Sequence, residues 1–283
     1  MTNPRGLLVA LCLLGSKAWG FTFQAPKTPS LITLKTTAPS DITMFPTDLK
    51  FDRMDGDQSV RTYQMPENAE RVQMVLKTNG RPLKARIEMW IGPIRRVHFV
   101  DLDIEDGLIF PYHETLKFKK GPQVVKIMTE SMAFPLEVSV TSPSPQRTAE
   151  LDAITQSVWD ASPKTLIQGG STLGGHGAVR SFPLENNVES VQVIIWSKYT
   201  SKKSFKAMIE VLQGPNNKKQ VYDMQCSGGS QPYHAILQTP GTGNTIRIYN
   251  KKFVEDGLFE CVVVPYKIGD YPSAVVNKPW WEK

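Results

Sequence analysis

Apolar and polar residues alternate along much of the chain between residues 60 and 265. Val72, Met74 and Leu76 occupy every second position, as do Ala85, Ile87, Met89 and Ile91. A period of two places one set of side chains on one face, so each run predicts a strand with one buried face. Further runs predict strands at 97–102, 124–128 and 136–140, then at 191–195, 205–212, 246–249 and 259–264. Gly-Pro, Asn-Gly and Gly-Gly pairs punctuate them as turns. One segment breaks the rhythm. Leu151, Ile154 and Val158 fall at i, i+3 and i+7, which predicts a short amphipathic helix ending before Pro163.

The alternating pattern occurs twice. Val60-Arg61 recurs as Val179-Arg180, and Glu70-x-Val72-Gln73 as Glu189-x-Val191-Gln192, both at an offset of 119. Lys84-Ala85-x-Ile87-Glu88 recurs as Lys206-Ala207-x-Ile209-Glu210, and Gly92-Pro93 as Gly214-Pro215, at 122. Pro111-Tyr112-His113-x-x-Leu116 recurs as Pro232-Tyr233-His234-x-x-Leu237 at 121. Five blocks in the same order, with small insertions, are the mark of a duplicated fold. The expected architecture is mostly β: two tandem homologous antiparallel β-sandwich-like domains with a short helical connector. The first copy spans 50–143 and the second 178–268. A helical and Gly-rich linker occupies 144–177, and an extended tail 269–283.

Composition changes the picture mainly at the N-terminus. The 283 residues carry a net charge of +6, but residues 1–40 hold Arg5, Lys17, Lys27 and Lys35 and no acid. Without them the balance is 29 basic against 27 acidic residues, or +2, which removes most support for nucleic-acid binding. Residues 1–20 read as a signal peptide: Arg5, an apolar run at 6–15, and Ala18-Trp19-Gly20 as a cleavage site. A buried strand or helix is the alternative. Residues 21–45 are transit-peptide-like, rich in Ser, Thr, Pro and Lys, with Phe21 at the junction. An ordinary secreted protein with an N-terminal linker is the competing reading. No internal apolar run is long enough to span a membrane.

Candidate chemistry is sparse. None of His98, His113, His176 and His234 has metal-ligand spacing, so no zinc or other cofactor is expected. His113 and His234 are repeat equivalents that could serve as ligand or acid–base groups. Their simpler role is structural, with the Tyr packing and the His bonded to a backbone carbonyl. Glu88 and Glu210 could act as bases, but a buried Arg–Glu pair, with Arg61 and Arg180 the repeated cations, is the simpler reading. Residues 169–177 lack the Lys-Ser/Thr ending of a phosphate loop and read as a linker. Cys226 and Cys261 have no equivalents in the first copy and are expected to be buried thiols. The tail carries Val275, Val276, Trp280 and Trp281 beyond the last repeat, and either folds back or docks on a neighbour.

Tandem β-rich copies with Val-Gln, Ile-Glu-…-Gly-Pro and Pro-Tyr-His blocks, behind a bipartite presequence, resemble the pyrenoid shell proteins of diatoms. The resemblance covers roughly residues 50–270. It implies a non-enzymatic protein of the plastid stroma that assembles with itself into a sheet around the Rubisco-rich pyrenoid, limiting CO₂ leakage. Possible partners are Rubisco or other matrix proteins. No catalytic residue comes with the family. Two other classes stay open: a carbohydrate-binding sandwich using Trp90 and Trp196 as platforms, and a plastid enzyme using His113 and His234.

Overall fold

The computed structural model describes residues 43–119, 123–170, 177–227, 229, 231–252 and 257–269. Residues 1–42, residues 171–176 of the Gly-rich stretch, and the tail anchors Val275, Val276, Trp280 and Trp281 lie outside the described residues. Met44 and Phe45, read from the sequence as the end of the transit-peptide-like segment, pack instead on the first sheet.

The first copy supplies β1 (Asp52–Met54), β2 (Val60–Gln64), β3 (Arg71–Lys77), β4 (Leu83–Ile91), β5 (Arg95–Ile104), β6 (Tyr112–Lys117), β7 (Gln123–Thr129) and β8 (Leu136–Thr141). Helix α1 (Pro145–Ala161) follows. The second copy supplies β9 (Thr165–Ile167), β10 (Val179–Pro183), β11 (Val188–Trp196), β12 (Phe205–Gln213), β13 (Asn217–Cys226), β14 (Tyr233–Gln238), β15 (Asn244–Asn250) and β16 (Phe259–Ile268). The mostly β, antiparallel fold read from the sequence is the fold observed, and every strand run named above lies in a strand. The short β9 lies inside the stretch read as a linker; it pairs with β16 as β1 pairs with β8.

The strands form two antiparallel sheets. The first runs β1-β8-β3-β6-β14-β11-β16-β9 and the second β10-β15-β12-β13-β5-β4-β7-β2. Each order is a palindrome of repeat equivalents, so an approximate two-fold relates the copies. Each copy contributes half of both sheets. The halves are sewn together where β6 pairs with β14 and β5 with β13. Glu114 stands opposite Ala235, and Asp101 opposite Asp223. By the repeat offsets these are equivalent positions, so the pseudo-axis passes through both pairs. One buried cluster joins the two sheets and the two copies, with Met74, Ile87 and Ile127 beside Val193, Ile209 and Ile248.

The outer faces differ. Ser144 caps α1 by accepting a hydrogen bond from the Arg147 amide at 3.2 Å, and Pro145 follows as the first helical residue. Val158 and Trp159 of α1 pack on Ile194, Trp196, Val262 and Val264. Those residues point away from the main core, so β11 is buried on both faces. That explains the unbroken apolar run Val193–Trp196 in its second half. Met44 and Leu151 cover Ile236 on the same sheet, and the Met44 amide donates to the Tyr266 hydroxyl at 2.9 Å. The second sheet instead shows charged pairs outward. Arg86 grips Asp101 at 2.5 and 2.7 Å, Lys84 lies 3.4 Å from Asp103, and Lys251 pairs with Asp223. Gly92 and Gly214 turn the equivalent β4–β5 and β12–β13 hairpins at φ of +58° and +77°, where a side chain would be strained.

Candidate functional site at the seam of the two copies

Four strands meet at the seam, and their inward side chains build one buried polar cluster. On β6, Tyr112 and Glu114 are two residues apart and share a face. Tyr112 donates to Glu114 Oε2 at 3.0 Å, and its hydroxyl lies 3.3 Å from that of Tyr233, its repeat equivalent on β14. From β5, His98 Nε2 lies 2.8 Å from Glu114 Oε1 as a buried ion pair. Its Nδ1 lies 3.0 Å from Cys226 Sγ on β13. Tyr222 donates to Gln220 Oε1 at 2.5 Å, and Gln220 donates to the Gln238 carbonyl at 2.7 Å.

Burial alone would lower the pKa of His98, but Cys226 and Glu114 on its two ring nitrogens outweigh it and raise the value well above normal. Burial raises the Cys226 thiol, and burial with the nearby Glu114 carboxylate raises Tyr112 and Tyr233. The cluster thus holds the His98 imidazole between the Glu114 carboxylate and Cys226, ringed by neutral hydroxyls. Cys, His and Glu in this order could act as nucleophile, base and orienting acid. A nucleophile must touch its substrate, however, and Cys226, His98 and Glu114 are 1%, 1% and 0% exposed. A cavity of about 190 Å³ borders Cys226 and His98 without exposing either side chain. An activated thiol also needs a lowered pKa, the opposite of what Cys226 has. The cluster acts as a polar clasp between the copies.

The residues singled out by repetition are placed elsewhere. His113 and His234 project from the outer face of the first sheet. His113 Nδ1 bonds the Pro111 carbonyl at 3.0 Å, with its ring edge-on to Phe45. His234 is buried beneath α1. Its Nδ1 is 3.1 Å from Thr155 Oγ1, and its Nε2 is 3.2 Å from the Gln192 side-chain amide, rather than from a backbone carbonyl. Burial, then the Arg71 charge, lowers its pKa to about 3.

Glu88 and Glu210 are buried, but their cations are not Arg61 and Arg180. Arg96 binds Glu88 at 2.6 Å and Lys218 binds Glu210 at 2.5 Å. Arg96 and Lys218 are themselves repeat equivalents on the adjacent strands. Trp90 donates to Glu88 at 3.0 Å, and the Tyr249 hydroxyl to Glu210 at 2.8 Å. Arg61 and Arg180 sit on the edge strands β2 and β10, where Arg61 reaches Asp52 at 3.7 Å and Arg180, among the described residues, bonds its neighbour's carbonyl. Pro93 and Pro215 follow the hairpin glycines. Trp196 is no exposed platform; it is 7% exposed and packs edge-on to Trp159, with ring centroids 5.4 Å apart. Cys226 and Cys261 are free, buried thiols.

Repetition could not mark His98, Glu114 or Cys226, because their equivalents are Gln220, Ala235 and Ile104. The one available trace was a carboxylate at an inward position of the Tyr-His-Glu-Thr-Leu strand.

No curated protein sequence matches the chain. Among solved structures, an oxalate decarboxylase from Bacillus subtilis aligns at 7% identity and a TM-score of 0.17, covering 78% of this chain and 76% of the other. A mutant of the same enzyme aligns at 9% and 0.16, covering 77% and 76%. Likenesses that low carry no argument about fold or chemistry. The diatom pyrenoid shell protein family, in contrast, matches residues 45–265, from just before β1 almost to the end of β16. The chain belongs to the diatom pyrenoid shell protein family.

Proposed function

We propose that the chain is a structural subunit that assembles with copies of itself into a sheet around the Rubisco-containing pyrenoid. There, at the pyrenoid periphery in the plastid stroma, the sheet confines the matrix, slows CO₂ leakage and supports carbon fixation. The presequence at 1–45 is the import signal in this reading, with Phe21 at its junction. The observation that carries the proposal is the family match combined with the ends of the sheets. Strands β2 and β10 close the second sheet, and each is paired on one side only among the described residues. Val60 and Val179 there are 57% and 40% exposed. Unpaired edges on two related ends support head-to-tail contacts that do not close, and such contacts extend into open arrays.

Val275, Val276, Trp280 and Trp281 are proposed as anchors that reach a neighbouring subunit, and Pro272 and Pro279 favour an extended backbone there. The test is electron microscopy and sedimentation of the purified protein beginning near residue 43, so that Met44 and Phe45 keep their contacts with the first sheet. Sheets or tubes are expected. A truncation ending at Asp270 should keep its melting temperature and lose the large assemblies. Monodisperse monomers from the untruncated protein would sink the proposal. Normal assembly of the truncation would place the contacts on the sandwich instead of the tail.

A further inference from the structure

Two cavities of about 500 Å³ each adjoin at one end of the seam, where they share Lys198 and Gly229. The first is lined by Arg71, Lys117 and Asp152, and that single carboxylate is bound by both cations. The second is lined by Arg95, Lys119, Lys198 and Lys202, with no carboxylate among its described lining residues. Four cations around one small space repel one another, and an anion there relieves that repulsion.

Three further observations separate this from a chance gathering of surface lysines. Lys198 lies over the rings of Trp196 and Tyr199, 4.8 and 4.9 Å from their centroids, which fixes its ammonium at the junction of the cavities. Lys202 is held in the left-handed region at φ +54°, with its amide bonded to the Ser197 carbonyl at 2.7 Å. Gly229 packs so closely on it that a Cβ at that glycine would stand 2.6 Å from the Lys202 carbonyl oxygen. Strain held in place by surrounding packing is a property of functional loops. Two buried N–H donors of residues lining the first cavity, Arg71 Nε and Trp196 Nε1, also have no hydrogen-bond partner among the described residues.

The feature is not a by-product of duplication either. The repeat equivalents of Arg95, Val97 and Lys119 are Asn217, Lys219 and Pro240, and Lys219 is neutralised by Glu105 at 2.6 Å. At these three positions the opposite end of the seam therefore carries no unpaired cation among the described residues.

We propose that the paired cavity binds a small anion with two phosphate groups, of the pyrophosphate or bisphosphate-ester class, held by Arg95, Lys119, Lys198 and Lys202. Each phosphate group carries about −1.5 to −2 at pH 7, so two of them match four cations. This inference does not depend on the shell reading. The test is calorimetric titration of the full chain with inorganic pyrophosphate at about 0.15 M ionic strength, where diffuse charge effects are screened. One site per chain is expected. The Lys119→Gln/Lys202→Gln variant should bind at least about ten-fold more weakly, while retaining the wild-type melting temperature. Lys84→Gln/Lys206→Gln, on the open face of the second sheet, should bind as wild type. Equal loss in both variants, or no saturation, would overturn the site. Equal affinity for inorganic phosphate would overturn the two-phosphate assignment. Displacement of pyrophosphate by a polyglutamate peptide of higher affinity would reassign the cavity to an acidic protein segment.

Discussion

A charge buried at the seam is tolerated only because it is paired. His98 and Glu114 lose their hydration together, and each offsets the other's desolvation. Removing one partner is costly, so Glu114→Ala should lower the unfolding free energy by about 3–5 kcal/mol in urea titrations. Glu114→Gln, which keeps the shape and a neutral acceptor for Tyr112, should cost less. A loss under about 1 kcal/mol for the alanine variant would mean that the pair contributes little.

His234 presents the opposite case, an imidazole buried neutral. Its folded pKa of about 3 lies below the ordinary 6.5, so the folded state takes up fewer protons than the unfolded one in between. Its contribution is present above about pH 6.5 and is lost as pH falls toward 3. His98 has a raised value, so its contribution is present at low pH and is lost as pH rises through that value. Wild type should therefore lose melting temperature between pH 6.5 and 4 more steeply than His234→Gln. That variant should itself be roughly 1–2 kcal/mol less stable at neutral pH, because the Thr155 and Gln192 contacts are altered. Parallel melting curves across this range would contradict the assignment.

Among the elements, the strands were readable because one face of each meets the core, which imposes a period of two. The helix was readable for the same kind of reason, since only one side of α1 meets the first sheet. The short β9 was not readable, because three residues cannot establish a period. Nor was the seam. Periodicity tells which face of a strand is buried but not which edge it pairs along. Thus β6 and β14 were visible as strands without any sign that they pair with each other. Repetition located Glu88 and Glu210 but suggested the wrong cations, since Arg96 and Lys218 recur outside the matched blocks. Equivalent core positions should have equivalent worth. Ile87 and Ile209 are both fully buried on β4 and β12, within one cluster. Ile87→Ala and Ile209→Ala should each cost about 2–5 kcal/mol, and similar amounts. A near-zero loss at one of them would show that the copies do not share the core evenly.

At the scale of the whole molecule, the palindromic sheets look like a homodimer fused into one chain, and the seam shows what fusion permits. A true homodimer of the first copy would set Glu114 against its own twin on the axis, two buried carboxylates face to face. His98 would then face Ile104 in place of Cys226. A homodimer of the second copy would set Ala235 against itself, leaving a void where Glu114 now stands. Only the mixed pair fills the axis with one carboxylate, one imidazole and one thiol. Residues 43–142 and 143–269, produced as separate chains, should therefore recombine one to one when mixed, as read by analytical ultracentrifugation. The first half alone should associate far more weakly with itself. Glu114→Ala in that half should strengthen its self-association, since the carboxylates no longer oppose each other. If the unmodified first half instead dimerises as tightly as the mixed pair, the asymmetry on the axis does not decide which halves join. The divergence of His98, Glu114 and Cys226 from their equivalents would then need another physical cause.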